Sequence, residues 1–339
     1  MDKLRQLMSS IDAWQRRHRW AGVPYAVNKK FSDDNANLQV LALAWYGFTV
    51  IFPLLLVVVT IFGFIGQASL GTSVLTTLHK FPVVGSNFNP QNPNSLHGST
   101  VGLVIGLLGL IYGAQGVTQS AQQAMVTVWN VPQTRTTGFL PRLGRSLAGL
   151  IIIGGTFLVN AALSTYVTGG TSNYAIRVPA LAGLMIINCA LYYAAFTVLT
   201  PKVVGPRGLW PGAVFAGIAF TALITVGTGL LTHTLTNASN TYGTFGAVIG
   251  IVAILLLLAK VSIYGAELNP VLARDLYPRA LPMVTEPTTA DLQVLTDLAH
   301  AQQRRPDQVI GVGFGQDGVA QAAADAAKGA GAAKNAAQS

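Results

Sequence analysis

The sequence predicts an all-α protein: a polytopic membrane helix bundle of six transmembrane helices, both ends cytoplasmic, with a cytoplasmic amphipathic N-terminal helix. Three observations carry this. Of 339 residues, 51% are hydrophobic and only 10% charged, against about 25% charged in an average soluble domain. Residues 35–266, 232 in all, contain no Asp or Glu yet hold eight cations: Lys80, Arg135, Arg142, Arg145, Arg177, Lys202, Arg207 and Lys260. With the N-terminus inside, the inner segments next to the spans hold fourteen Lys and Arg and the outer ones two, the asymmetry expected of a membrane protein. Five or seven spans would scramble that bias.

Residues 1–36 read as a basic cytoplasmic segment. Leu4, Leu7, Met8, Ile11 and Trp14 recur at helical spacing, with Arg5, Arg16, Arg17 and Arg19 on or near the same helix. Such a helix suits the inner leaflet and equally a face of its own protein. Charges throughout the first 30 residues leave no apolar core for a secretory signal.

Residues 37–270 form the expected transmembrane domain. A span needs about 20 mostly apolar residues. Leu38 to Phe64, Ser146 to Val167, Pro179 to Leu199, Trp210 to Leu231 and Phe245 to Ala266 qualify. Val101 to Tyr112 is shorter, but its helical pattern continues to Trp129, with a break expected near Gly113 and Gly116. Ser32, Asp33 and Asp34 are N-cap candidates for the first span, and Pro53 is expected to kink it. Residues 69–99, rich in Gly, Asn, Pro, Ser and Thr, read as a long loop. Residues 271–339 form a polar cytoplasmic tail, expected to be disordered from about residue 311.

An intramembrane charge is a functional candidate by default. Lys260 and Glu267 lie seven residues apart on the last span, with Tyr264 between them on one face. Such a stripe serves a polar head group or a proton relay; equally, Lys260 snorkels to the interface and Glu267 sits in water. On the second span Gln115, Gln119 and Gln122 share a face with Tyr112, suited to a wet cavity or to an interfacial helix. Asn160 and Asn188 read as helix–helix glue. Gly227, Gly229, Gly246 and Gly250 serve packing within the chain or in a homo-oligomer. Cys189 reads as a small core hydrophobe. His79, His97 and His233 lack metal-ligand spacing. No nucleotide-binding or hydrolase motif occurs, and the carboxylate-free body argues against two-metal nuclease chemistry. No cofactor, metal or nucleic-acid partner is expected, and no catalytic residue.

Leu41-Ala42-Leu43-Ala44-Trp45-Tyr46, then Phe52-Pro53-Leu54-Leu55-Leu56, with Asp34 ahead, resembles the first helix of the YihY/BrkB membrane proteins. Trp210-Pro211-Gly212-Ala213 resembles that family's PGA helix start, and Tyr242 to Ala247 with Tyr264-Gly265-Ala266-Glu267-Leu268-Asn269 its last helix. The resemblance runs from about Phe31 to Asn269 and is strongest to the YhjD branch. Lys260 departs from a stretch that the family keeps apolar.

The resemblance implies a six-helix protein of the bacterial inner membrane, linked to serum resistance and to export of envelope lipids such as lipid A precursors. An older label, ribonuclease BN, sits poorly with these residues. The expected function is a transporter or flippase-like exporter of an anionic envelope lipid or lipid-linked precursor, with Arg142, Arg145 and Lys260 drawing the head group. The alternatives are a non-transporting scaffold for envelope assembly and, behind it, a ribonuclease.

Overall fold

A computed structural model describes residues 2–65, 100–132, 144, 148–149, 151–152, 174–202, 204–205, 208–225, 244–281, 287–305 and 307–315. Among these residues the secondary structure is helical, without strands. The helices are α1 (Asp2–Arg17), α2 (Arg19–Asp33), α3 (Ala36–Ile65), α4 (Thr100–Val128), α5 (Tyr174–Leu199), α6 (Trp210–Thr225), α7 (Thr244–Ala273) and α8 (Thr289–Ala301). Four stretches are long and apolar enough to cross a membrane: Ala36–Leu54 in α3, Thr100–Val128, Val178–Leu199 and Val248–Ala273. The described part of the fifth expected span, Trp210–Thr225, is shorter. The third expected span lies almost wholly outside the described residues, as do Arg142, Arg145 and Asn160.

The chain is turned inside out relative to a soluble fold. Leu41, Trp45, Val104, Leu108, Ile186 and Ile249 are exposed, while Lys30, Glu267 and Arg279 are buried. Large apolar side chains facing outward on long helices need a hydrocarbon solvent, and charged groups at the centre need partners.

α4 is unbroken, which corrects the expected break at Gly113 and Gly116. The glycines serve packing instead. A Cβ on Gly106 would come 2.9 Å from Val57, on Gly109 3.1 Å from Pro53, on Gly113 2.8 Å from Val50 and on Gly116 2.3 Å from the Tyr46 ring. Small residues along one face let two backbones approach without a hydrophobic drive between them. α3 likewise continues through Pro53, which sits on Gly109.

A second seam joins α6 to α7. A Cβ on Gly212 would lie 1.9 Å from the Gly265 carbonyl oxygen, and one on Gly265 2.7 Å from Ala216 Cβ. Asn269 Oδ1 accepts from the Gly212 N–H at 2.7 Å, satisfying a donor that the first turn of α6 leaves open. α5 ties in through Asn188 Nδ2, which donates to Thr221 Oγ1 at 2.9 Å, and through a 2.8 Å hydroxyl pair between Tyr192 and Ser262.

The start of α3 also differs from expectation. α2 runs to Asp33 and Asp34 closes it, so neither residue caps α3. The turn is made by Asn35 at φ 52°, a left-handed conformation that Asn tolerates. That frees the Asp33 and Asp34 side chains for other partners.

Candidate functional site

The site begins with α2. Gly22, Ala26, Val27, Lys30 and Phe31 form its buried face, a helical stripe whose Ala26 and Val27 pack on Val271 of α7. Lys30 interrupts that stripe with a charge. Its exposure is 0%, as is that of Glu267. Lys30 Nζ donates to Asp34 Oδ2 and, at 2.7 Å, to the Val128 carbonyl oxygen. Val128 ends α4, where the helix dipole favours a cation.

Lys30 Nζ also lies 3.2 Å from Glu267 Oε2, an ion pair that lacks hydrogen-bond geometry. Asn130 Nδ2 donates to Asp34 Oδ1 at 3.0 Å. Glu267 Oε1 has no hydrogen-bond partner among the described residues. Two buried carboxylates therefore share one ammonium, and the hydrogen bonds go to Asp34. Burial pulls Lys30 toward the neutral form; the Glu267 and Asp34 carboxylates outweigh it and hold the ammonium above its ordinary value.

A second cluster lies beside the first. Arg279, 1% exposed, donates to Asp291 Oδ1 and Asp33 Oδ2, both at 2.6 Å. Lys29 Nζ donates to Asp291 Oδ1 and to the Ala280 carbonyl oxygen, both at 2.8 Å. Asp291 also takes the Ala280 and Thr288 N–H groups and closes a capping box at the start of α8. Burial pushes the Asp291 carboxyl up, but the Lys29, Arg279 and backbone hydrogen bonds win and hold it far below the carboxylate range. The chain after α7 is thus clasped to α2.

Lys260, Tyr264 and Glu267 follow one face of α7 but meet three surroundings. Glu267 is buried under α2, so of the two alternatives the water-exposed acid does not hold. The Tyr264 ring stacks on Phe31 at 4.4 Å and its hydroxyl donates to Asn28 Oδ1 at 2.8 Å. Lys260 lies beyond the reach of α2. It is exposed, without a carboxylate partner among the described residues, and lines a groove of about 400 Å³ with Asn37, Val40, Leu41, Ala253, Leu256 and Leu257.

The glutamines do not join this group. Gln122 is buried and Gln115 and Gln119 half-buried on α4, and none of them lines the groove. Tyr112 is 75% exposed, so it does not share a buried face with them. Lys30, Asn130, Arg279 and Asp291 escaped the sequence reading. Their signal was faint: Lys30 sits at an apolar position of a helical stripe, but charge runs beside a span ordinarily face water.

Residues 27–285 match the virulence factor BrkB family. No curated protein and no solved structure matches the chain. The match spans α2 to α7 and both ion clusters up to Arg279. A helical membrane protein with this inverted burial and this match belongs to the BrkB (YihY) family.

Proposed function

We propose that the chain is a multi-pass protein of the bacterial inner membrane, with six spans and both ends cytoplasmic, that binds and exports an anionic envelope lipid or lipid-linked precursor. The observation that carries this reading is the groove between α3 and α7. Its walls are apolar at Leu41, Ala253 and Leu257, and Lys260 and Asn37 offer polar groups. An acyl chain fits the walls and an anionic head group fits the ammonium. The surrounding carboxylate-free body supplies no competing anion. Arg142 and Arg145 join as head-group attractors on the same cytoplasmic side, and no enzymatic step is assigned.

The test is reconstitution of the purified full chain in liposomes with a fluorescent anionic phospholipid and, separately, a zwitterionic one. Faster movement of the anionic lipid between leaflets, slowed by Lys260→Gln, is expected. Wild-type rates equal to those of empty liposomes overturn export. The glycine seam between α3 and α4 favours a second reading, a tightly packed scaffold. That reading predicts lipid binding sensitive to Lys260 without movement between leaflets.

A further inference from the structure

The first helix packs on its own protein by the wrong face for a soluble helix. Its buried side chains are polar: Asp12 is 4% exposed and Gln15 5%. Asp12 Oδ1 accepts from the Leu281 N–H at 3.0 Å, and Gln15 Nε2 donates to the Arg279 carbonyl oxygen. Among the apolar side chains of α1 whose burial is described, Met8 is half-buried and Ile11 and Trp14 point away. Ile11 is 47% exposed, Trp14 45% and Trp20, at the start of α2, 69%. Trp14, His18 and Trp20 form one ring cluster, Trp14 5.0 Å from His18 and 5.2 Å from Trp20. The exposed Arg16 and Arg17 stand on the same helix.

We propose that α1 is a membrane-interface helix, fixed to the protein by Asp12 and Gln15, whose Ile11–Trp14–Trp20 edge enters the head-group layer of an anionic leaflet. Three physical facts select a bilayer as the occupant. Trp is favoured at the membrane–water boundary, where its ring is apolar and its N–H finds a polar partner. A helix with apolar side chains along one edge and Arg beside them lies in the interface plane, drawn by anionic lipid. And the chain's long apolar helices call for a bilayer around the same molecule, so α1 needs no further partner to meet one. The hydrogen bonds to residues 279–281 hold the helix in one rotation about its axis, so the Trp edge is presented with its conformational entropy already spent. The two readings left open by the sequence therefore hold together: polar residues take the protein and apolar ones take the lipid. The proposal is independent of export, because it concerns where α1 lies and not what the bundle moves.

The test uses the full chain in nanodiscs of phosphatidylglycerol and phosphatidylcholine, in a Cys189→Ser background, with a spin label at Ile11→Cys or at Arg17→Cys. Collisions with oxygen should dominate at position 11 and collisions with a water-soluble nickel chelate at position 17. In parallel, brominated lipid should quench a larger share of tryptophan emission in Trp45→Phe/Trp210→Phe, which removes the exposed tryptophans of the long helices, than in that variant with Trp14→Phe/Trp20→Phe added. Chelate access at position 11 equal to that at 17 would overturn the proposal. So would a position 11 label shielded from both reagents, since that means a protein surface covers the helix. Equal quenching of the double and the quadruple variant would overturn it too.

Discussion

At the scale of single residues, charge balance governs the buried cluster. Lys30 faces Asp34 and Glu267 with no water access. Breaking a buried pair by removing one partner costs about 3–5 kcal/mol, because the other charge stays behind unpaired. Lys30→Met strands two carboxylates and should cost at least that, read as a fall in the thermal midpoint of the purified protein. Glu267→Gln removes the carboxylate that receives no hydrogen bond and leaves Lys30 matched to Asp34. Its cost should stay within about 1.5 kcal/mol, the scale of one ordinary hydrogen bond. Equal damage from both variants would show that Lys30 needs both carboxylates.

Asp291 gives the pH dependence. Its carboxyl is held below its ordinary value of 3.8 in the folded chain, so its contribution is present above that pH and is lost as pH falls further. Thermal midpoints measured between pH 7 and pH 3 should drop at the acid end. Asp291→Asn should cost about 2–4 kcal/mol at neutral pH for the lost charge-assisted bonds, read as a lower midpoint, and flatten the acid limb. Lys30 acts with the opposite sign. Held above its ordinary 10.5, its contribution is complete below that pH and is lost only as pH rises beyond it.

At the scale of elements, the long helices are held by backbone approach. Gly116→Ala places a methyl 2.3 Å from the Tyr46 ring and should cost about 1–3 kcal/mol, the usual range for overpacking. Tyr46→Ala in the same chain makes room and should recover part of the loss, in a double-mutant cycle read by thermal melting. The motifs that carried the family resemblance find their physical reason at this scale. Pro211-Gly212-Ala213 and Gly265 to Asn269 meet each other at the α6–α7 seam, where Gly212 and Gly265 admit the backbone contact and Asn269 caps α6. Glu267, in the same motif, serves the opposite contact with α2.

At the scale of the whole molecule, peripheral helices grip one end of the bundle. α2 packs on α7, residues 279–281 bridge α1, α2 and α8, and the groove at Lys260 opens just beyond them. Ion pairs thus add to the apolar packing of α2 on α7 in holding the peripheral helices. Arg279→Met should loosen all of these pieces together and expose the segment around residues 279–291 to protease in detergent. An unchanged cleavage pattern would show that the helices dock without the clasp.

The sequence by itself determined the class: the apolar runs, the carboxylate-free body and the family match are one-dimensional properties, because a bilayer selects on length and hydropathy alone. It located Glu267 and Lys260 as the acid and base of the last helix, but left open whether they share one stripe or sit apart at the interface and in water. Only the tertiary structure separated them, since α2 covers the turn that bears Glu267 and stops short of Lys260. It also turned Asp33, Asp34 and Lys30 from a charge run into a buried network. Periodicity states which side of a helix a residue occupies; what covers that side is decided by distant partners, such as Arg279 for Asp33, 246 residues away in the chain, and no local pattern encodes them.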